Sequence, residues 1–241
     1  MINTIEDLKL EPDQKVDWVE ISKNETLSET FIGIYRRKVD WRWISCGQKL
    51  SEAFIDKYHD KVDWRSISSY QQLSDMFIEE HHDKLNWKCI SSRQKLSEAL
   101  IEKHHDKVDW KSISIHQKLS EMFIEEHHDK LDWEYISSRQ KLSEALIEKH
   151  HDKVDWKAIS IHQKLSDAFI EEHHDEVDWK YISENKHISE KTLLKYSFTD
   201  NSLNMHRKEL LEYVIFDLAT LIANCVYAQH ASRRIFKICY F

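Results

Sequence analysis

The chain has 241 residues, of which 41% are hydrophobic, but only two are glycine and one is proline. Sandwiches, barrels and open sheets need frequent glycine and proline turns, so this composition excludes them and favours helices joined by very short connections. The formal net charge of −8 argues against a broad electrostatic surface for nucleic acid. The four cysteines share no disulfide or zinc spacing, which favours a reducing, cytoplasmic setting.

Residues 1–17 are expected to form a degenerate N-terminal cap. They lack the basic start and the apolar run of a signal peptide. Of the repeated motif that fills most of the chain, they retain little beyond the "QKVD" that precedes Trp18.

Residues 18–201 are predicted to form a tandem array of eight copies, because eight tryptophans recur every 23 residues. They are Trp18, Trp41, Trp64, Trp87, Trp110, Trp133, Trp156 and Trp179. Residues 88–133 match residues 134–179 at 39 of 46 positions, so pairs of copies were duplicated as blocks. Positions within a copy are counted here from its tryptophan as zero.

The first half of each copy is predicted to be a short helix. Position +3 is always Ile, +4 is always Ser and +7 is Gln in six of eight copies, whereas +1, +2, +5 and +6 vary. Fixed residues at 0, +3, +4 and +7 share one face of an α-helix, while a strand would fix alternate residues.

The second half is predicted to be another amphipathic helix, from apolar residues at +9, +13, +14 and +21. Ser at +10 and Asp at +22 are candidate N-caps of the two helices. Helices of about 8 to 12 residues are marginal alone, so the copies must stack, with one buried tryptophan per copy. The predicted fold class is all-α, an α-solenoid formed as a superhelical stack of short two-helix repeats with N- and C-terminal capping helices.

Residues 202–241 are expected to form the C-terminal capping helix region, since apolar residues from Leu210 to Val226 follow helical spacing. An apolar face left uncovered there would favour a homodimer contact. A membrane crossing is not expected, because only eleven uncharged residues separate Asp217 from Gln229 and a bilayer needs about 20.

The stretches "QKLSEAFI", "DKVDW" and "IS" resemble the short α-helical tandem repeats found in proteins of giant DNA viruses and some bacteriophages. The resemblance covers roughly Leu27 to Ser183. It implies a viral or phage origin, and hence host cytoplasm, but no catalytic residues. The resembling repeats tend to carry Phe at +17, where five copies of this chain carry His.

Five "HHD" triplets are the most conspicuous metal-ligand candidates. The first His occupies +17, where other copies have Tyr35, Tyr58 and Tyr196. Tyrosine replaces a packed ring more readily than a zinc-ligating imidazole, so the first His is interpreted as a half-buried aromatic and the second as solvent-facing, with no metal site. Partial burial would disfavour the charged form, so the array is expected to loosen below about pH 6.

The varying positions +2, +5 and +6 of the first helix form the candidate binding face. Several hold large aromatics or arginine, the residues that most often dominate protein-binding energetics. The candidate binding residues are Trp43, Tyr70, Arg93, His116, Tyr135, Arg139, His162 and Tyr181. Arg and His alternate at +6 through four copies, as in repeats that read nucleotides, although the block duplication would itself create that alternation.

No glycine-rich phosphate loop, nucleophile motif or His-Glu-x-x-His sequence occurs, so neither an enzyme nor a cofactor is expected. The expected function is a non-enzymatic repeat scaffold that binds a protein partner, in a virus a host protein, through the variable face. A nucleic-acid or nucleotide binder using that face, and an acidic mimic of nucleic acid, remain as alternatives.

Overall fold

The structure, a computed structural model, describes residues 1–8, 15–183 and 188–196. These residues form an all-α fold of the solenoid class and contain no β-strand; one isolated bridge pairs Ile2 with Leu27. The chain divides into two compact units, Met1–Gln140 and Lys141–Phe241.

In the first unit, a 3-10 turn (Glu6–Leu8) is followed by helices that alternate between the two halves of each copy. The first-half helices are α1 (Trp18–Asn24), α3 (Trp41–Gly47), α5 (Trp64–Tyr70), α7 (Trp87–Arg93), α9 (Trp110–His116) and α11 (Trp133–Arg139). The second-half helices are α2 (Glu29–Ile34), α4 (Glu52–Lys57), α6 (Asp75–Glu80), α8 (Glu98–Lys103) and α10 (Glu121–Glu126). Consecutive first-half helices pack side by side, which gives the solenoid its repeat.

The second unit continues the same alternation. Its helices are α12 (Glu144–Lys149), α13 (Trp156–His162), α14 (Asp167–Glu172), α15 (Trp179–Ile182) and α16 (Glu190–Tyr196). The first-half helices α13 and α15 pack together. The region predicted as a C-terminal cap, residues 202–241, and its homodimer contact lie outside the described residues.

Both predicted N-caps are confirmed. The Ser at +10 accepts a hydrogen bond from the backbone N–H three residues later, as Ser97 does from Leu100. The Asp or Asn at +22 caps the following first-half helix in the same manner, as Asp109 does for Ser112. The exception is Asp132, whose carboxylate makes no cap bond to α11. These side chains satisfy orphan N–H groups that a six- or seven-residue helix has few other means of satisfying.

The helices are shorter than predicted: seven residues for most first-half helices and six for the second-half helices up to α14. The apolar residues at +9 and +21, such as Leu96 and Val108, are buried as expected but lie in the connections. Gln at +7 has extended backbone and is the C-cap of the first helix; Gln94, for example, has φ −93° and ψ 152°. The spacing of apolar residues alone cannot distinguish a helix from a buried connection whose apolar residues lie on the same side as the helix's buried face.

The tryptophans are not the innermost residues, and the prediction that each is buried between layers is wrong for six of the eight. Only Trp133 and Trp179 are buried, whereas the others are half-buried. The innermost residues are the isoleucines at +3 and +14, most of them fully inaccessible. An indole has a polar N–H that needs a partner, and here that partner lies at the surface turn: the Nε1 of Trp110 donates to the carbonyl of His105 at 3.0 Å.

The invariant serine at +4 joins the two halves of a copy. In copy two, the hydroxyl of Ser45 donates to the carbonyl of Trp41 at 2.6 Å and accepts from the backbone N–H of Asp63 at 2.9 Å. One bond serves the first residue of α3 and the other the N-cap residue of α5. The serine is therefore fixed because it holds consecutive first-half helices together.

The glutamine at +7 forms a ladder between copies. The Oε1 of Gln71 accepts from the N–H of Leu50, while its Nε2 donates to the carbonyls of Ser45 and Gln48. Gln94 and Gln117 repeat the same three bonds one copy further on. Each glutamine thus satisfies the backbone of the preceding copy, which extended connections leave without helical partners.

None of the helices among the described residues combines the length and the apolar composition needed to cross a membrane.

Candidate binding face

The fixed positions serve the internal architecture, which leaves the varying positions of the first-half helices as the candidate face. In the first unit the +6 side chains are all exposed from copy three onward, and Tyr70 retains 69% of its accessible surface. The other exposed candidates at this position are Arg93, His116 and Arg139. In the second unit, His162 is exposed in the same way. These five predicted residues are accessible to a partner.

The three predicted residues at +2 are less accessible. Trp43 and Tyr135 of the first unit and Tyr181 of the second are half-buried. A lysine from the preceding copy lies over each ring, with Lys23 Nζ 5.2 Å from the centre of Trp43 and Lys111 Nζ 5.2 Å from that of Tyr135. Lys157 of the preceding copy and Lys180 both lie over Tyr181, and these cation–π contacts cover part of each ring. Sequence variation at +2 therefore reflects packing as well as exposure.

Tyr70 and Arg93 line one cleft. The cleft has a volume of about 520 Å³ and lies where the C-terminal ends of α5 and α7 meet their connections. Lys95, Gln72 and Asp75 also line it. An exposed phenol, a guanidinium and an ammonium, with one carboxylate beside them, form a concave site for a polar side chain or a short chain segment.

Sequence reasoning missed Lys95 because it examined only the varying positions. Lysine is fixed at +8 in most copies, as in Lys49, Lys95 and Lys118, yet all three are exposed and no contact within the described part of the chain requires them. The signal that could have found them is a separate count of charge for each half of the repeat.

The first histidine of each "HHD" triplet is confirmed as a packed ring. In copy five, the centre of the His127 ring lies 4.3 Å from that of Phe123 and 5.0 Å from that of Trp110. Four of the five are buried rather than half-buried, and only His81 keeps intermediate exposure. Tyr35 and Tyr58 pack on the same two ring positions in the first two copies, which explains their exchange with histidine.

Three of the buried histidines, His104, His127 and His173, also face a carboxylate at +15 of the preceding copy. The Nε2 of His104 lies 2.8 Å from Glu79, and that of His127 lies 2.7 Å from Glu102. In the first copy, +15 is Gly33, and a Cβ built there would lie 3.0 Å from the hydroxyl of Tyr58. The residue at +15 thus matches the ring it meets: an acid for histidine and glycine for this tyrosine.

Two basic side chains donate hydrogen bonds to the carboxylate of Glu79. Lys103, 2.6 Å away, and His104 both donate to it and lower its pKa to about 2. Because the folded pKa of Glu79 lies below its ordinary value of 4.5, its contribution to stability is complete above pH 4.5 and is lost as the pH falls towards 2.

At His173 the expected response to acid is reversed. Burial alone lowers its pKa, but Glu176 and Glu148, each 2.6 Å from a ring nitrogen, outweigh burial and raise the pKa above the usual value. The stability due to His173 is therefore complete below pH 6.5 and is lost as the pH rises through its folded pKa. For this residue the prediction that the array loosens on acidification is wrong, because paired carboxylates compensate for desolvation.

The second histidines of the five triplets are only partly solvent-facing: His105, His151 and His174 are exposed, while His82 and His128 are half-buried. Within the described ranges, no three His, Cys, Asp or Glu side chains converge in a metal-ligating arrangement.

Comparisons of the chain with protein-family models, with curated proteins and with solved structures returned no match.

Proposed function

We propose that the chain is a non-enzymatic repeat scaffold that binds a protein partner through the exposed +6 side chains of its first-half helices. The observation that carries the proposal is the cleft between Tyr70 and Arg93, where an exposed aromatic and an arginine meet. Tyr and Arg are the residue types that most often dominate protein-binding energetics. The partner would be a host protein in the viral setting that the sequence resemblance implies.

The division of labour within each copy supports this assignment. Ile, Ser and Gln at the fixed positions are buried, and Ser and Gln also hydrogen-bond to the backbone, so all three are unavailable to a partner. The +6 side chains project from the same short helices but change from copy to copy. A rigid helix face with variable exposed residues is how repeat proteins present extended binding surfaces.

The carboxylates of the second half favour protein binding over mimicry of nucleic acid. The acid at +11 accepts hydrogen bonds from the N-cap serine of the next copy, as Glu52 does from Ser74. The acid at +15 pairs with the buried histidine, as Glu79 does with His104. Because these rows of carboxylates already have partners within the protein, their regular spacing is explained by the fold. Imitation of a phosphate backbone is not needed to explain it.

The proposal is tested by affinity capture from a host lysate with an alanine variant of Tyr70, Arg93 and Arg139. The control variant carries alanine at Met76 and Met122, which are 70% and 77% exposed on second-half helices. Circular dichroism establishes that both variants keep the wild-type helix content. We expect the first variant to lose a partner that wild type and the methionine variant both retain.

Recovery of the same proteins by all three forms would refute the assignment of the +6 side chains. Single-stranded RNA captured in place of a protein, with affinity that falls steeply with salt, would identify the nucleic-acid alternative.

A further inference from the structure

Charge is segregated between the two halves of the repeat, although the chain as a whole is acidic. In copies two to five, positions 0 to +10 hold eight Lys or Arg and no Asp or Glu. Positions +11 to +22 of the same copies hold six Lys or Arg against seventeen Asp or Glu. The net charge of −8 therefore conceals a basic first half and an acidic second half.

The structure turns the basic half into a surface. Within the first unit, the first-half helices α3, α5, α7 and α9 pack side by side, so equivalent positions repeat along one direction. We call the exposed cations at +6 and +8 the basic row. Its members are Lys49, Arg93, Lys95, Lys118 and Arg139.

The basic row has no internal counter-charge. In the described ranges, no carboxylate forms an ion pair with any of its five members, and none of them lies over an aromatic ring. The lysines of the second half differ, since Lys103 pairs with Glu79 and Lys107 with Asp83. Cations repeated at fixed positions with no structural contact need another reason to be there.

We propose that the basic row binds an extended acidic segment of the protein partner, with the cleft at Tyr70 and Arg93 as its central contact. This inference rests on the proposed function and adds the chemistry of the partner. The guanidinium of Arg93 offers a planar fork that matches a carboxylate, and Lys95 adds a second charge in the same cleft. The exposed ring of Tyr70 supplies apolar contact for the backbone of the segment.

The repeat distance suits a polypeptide. Packed helices lie about 8 to 10 Å apart, and an extended chain rises about 3.3 Å per residue. Acidic residues at about every third position of the partner would therefore meet the cations of copies four, five and six in turn, whereas copy three, which has no cation at +6 or +8, presents Tyr70 instead.

A single-stranded nucleic acid fits less well. Sequence-tolerant binders stack successive bases on aromatic platforms, whereas Tyr70 is the one exposed aromatic at +2 or +6 in copies two to five. Trp43 is half-buried beneath Lys23, and the equivalent residues in the next copies are small, basic or histidine. The acidic second half also opposes a ligand of high charge density.

The test measures binding of a fluorescent synthetic peptide of about 12 residues with Glu at every third position. We expect fluorescence anisotropy to report binding that weakens with added salt. The charge-reversal variant Arg93→Glu, Lys95→Glu and Lys118→Glu should bind at least about tenfold more weakly. The control variant Lys57→Glu and Lys61→Glu with Lys84→Glu changes the net charge equally but alters exposed second-half lysines, and it should stay within about threefold of wild type.

Equal losses in the two variants would overturn the inference, because they would reflect net charge alone. Tighter binding of an oligothymidylate of equal charge, abolished by the same reversal, would also overturn it and would assign the row to phosphates. If the peptide fails to bind while alanine at Tyr70 and Arg93 still releases a captured protein, the acidic-segment inference fails and the proposed function stands.

Discussion

The glutamine ladder gives the sharpest prediction about stability. Gln71 makes three buried hydrogen bonds to the preceding copy: its Oε1 lies 3.0 Å from Leu50 N, and its Nε2 lies 2.9 Å from Ser45 O and 2.7 Å from Gln48 O. Leucine has a similar volume but can make none of them, so Gln71→Leu isolates the hydrogen bonds from cavity effects.

The expected cost follows from counting those bonds. Each buried hydrogen bond contributes about 1 kcal/mol net, so three give about 3 kcal/mol, and the N–H of Leu50 left without a partner increases this further. Gln72→Leu is the matched control, since Gln72 is the neighbouring exposed glutamine. A substitution at such an exposed site should change stability by no more than about 0.5 kcal/mol.

Native-state hydrogen exchange is the most direct assay, because repeat arrays open locally and a single unfolding midpoint would average over copies. We expect Gln71→Leu to accelerate exchange at the Leu50 amide by about 100-fold, the equivalent of about 3 kcal/mol. Amides of the last copy in the first unit should be much less affected. Wild-type exchange at Leu50 in this variant, or an equal effect of Gln72→Leu, would refute the assignment of the ladder.

Two further predictions concern the acid–ring pairs. Gly33→Ala should stabilise the protein by up to about 1 kcal/mol through helix propensity, but the new Cβ would lie 3.0 Å from the Tyr58 hydroxyl. Denaturant unfolding should therefore show a larger gain in stability in a Tyr58→Phe background. Equal gains in both backgrounds would argue against the contact. Glu176→Lys restores the lysine that the six preceding copies have at +20 and should lower the pKa of His173, shifting the associated loss of stability to lower pH. NMR titration of the ring measures this shift, and an unchanged or higher pKa would contradict the pairing.

The repeat and its caps could be predicted from the sequence because both depend on local chemistry. Ser at +10 and Asp at +22 act on N–H groups two or three residues away, so a single copy contains all the information. The aromatic role of the first histidine was likewise predictable. Other copies have Tyr35 or Tyr58 at the same position, which indicates that the site accepts a packed ring.

Helix length and the role of glutamine could not be predicted in the same way. Gln94 lies on the helical face by spacing, yet its side chain serves the backbone of the preceding copy, and that contact spans 21 to 26 residues. The backbone can leave the helix at +7 only because this side chain satisfies it. Counting one copy at a time conceals such a bond, and for the same reason it conceals the match between Gly33 and Tyr58.

The candidate face was predictable in part. Variation identified Tyr70, Arg93 and His116, which are exposed, but it also selected Trp43, whose ring is half-buried beneath Lys23. It passed over Lys95, whose position is lysine in most copies and which nevertheless lines the cleft. Variation of a position between copies shows that the fold does not constrain its side chain. Whether that side chain is exposed depends on how adjacent copies pack, which the sequence of one copy does not show.

The most direct test of the central claim, that the exposed +6 side chains contact the partner, is site-specific photocrosslinking. A benzophenone amino acid would replace Tyr70 or His116 in one pair of variants and Met76 or Met122 in a second pair. All four sites are exposed, so they differ in the half of the repeat they occupy rather than in accessibility. We expect crosslinks to one protein partner from positions 70 and 116 alone; equal crosslinking from positions 76 and 122, or from those positions only, would contradict the account.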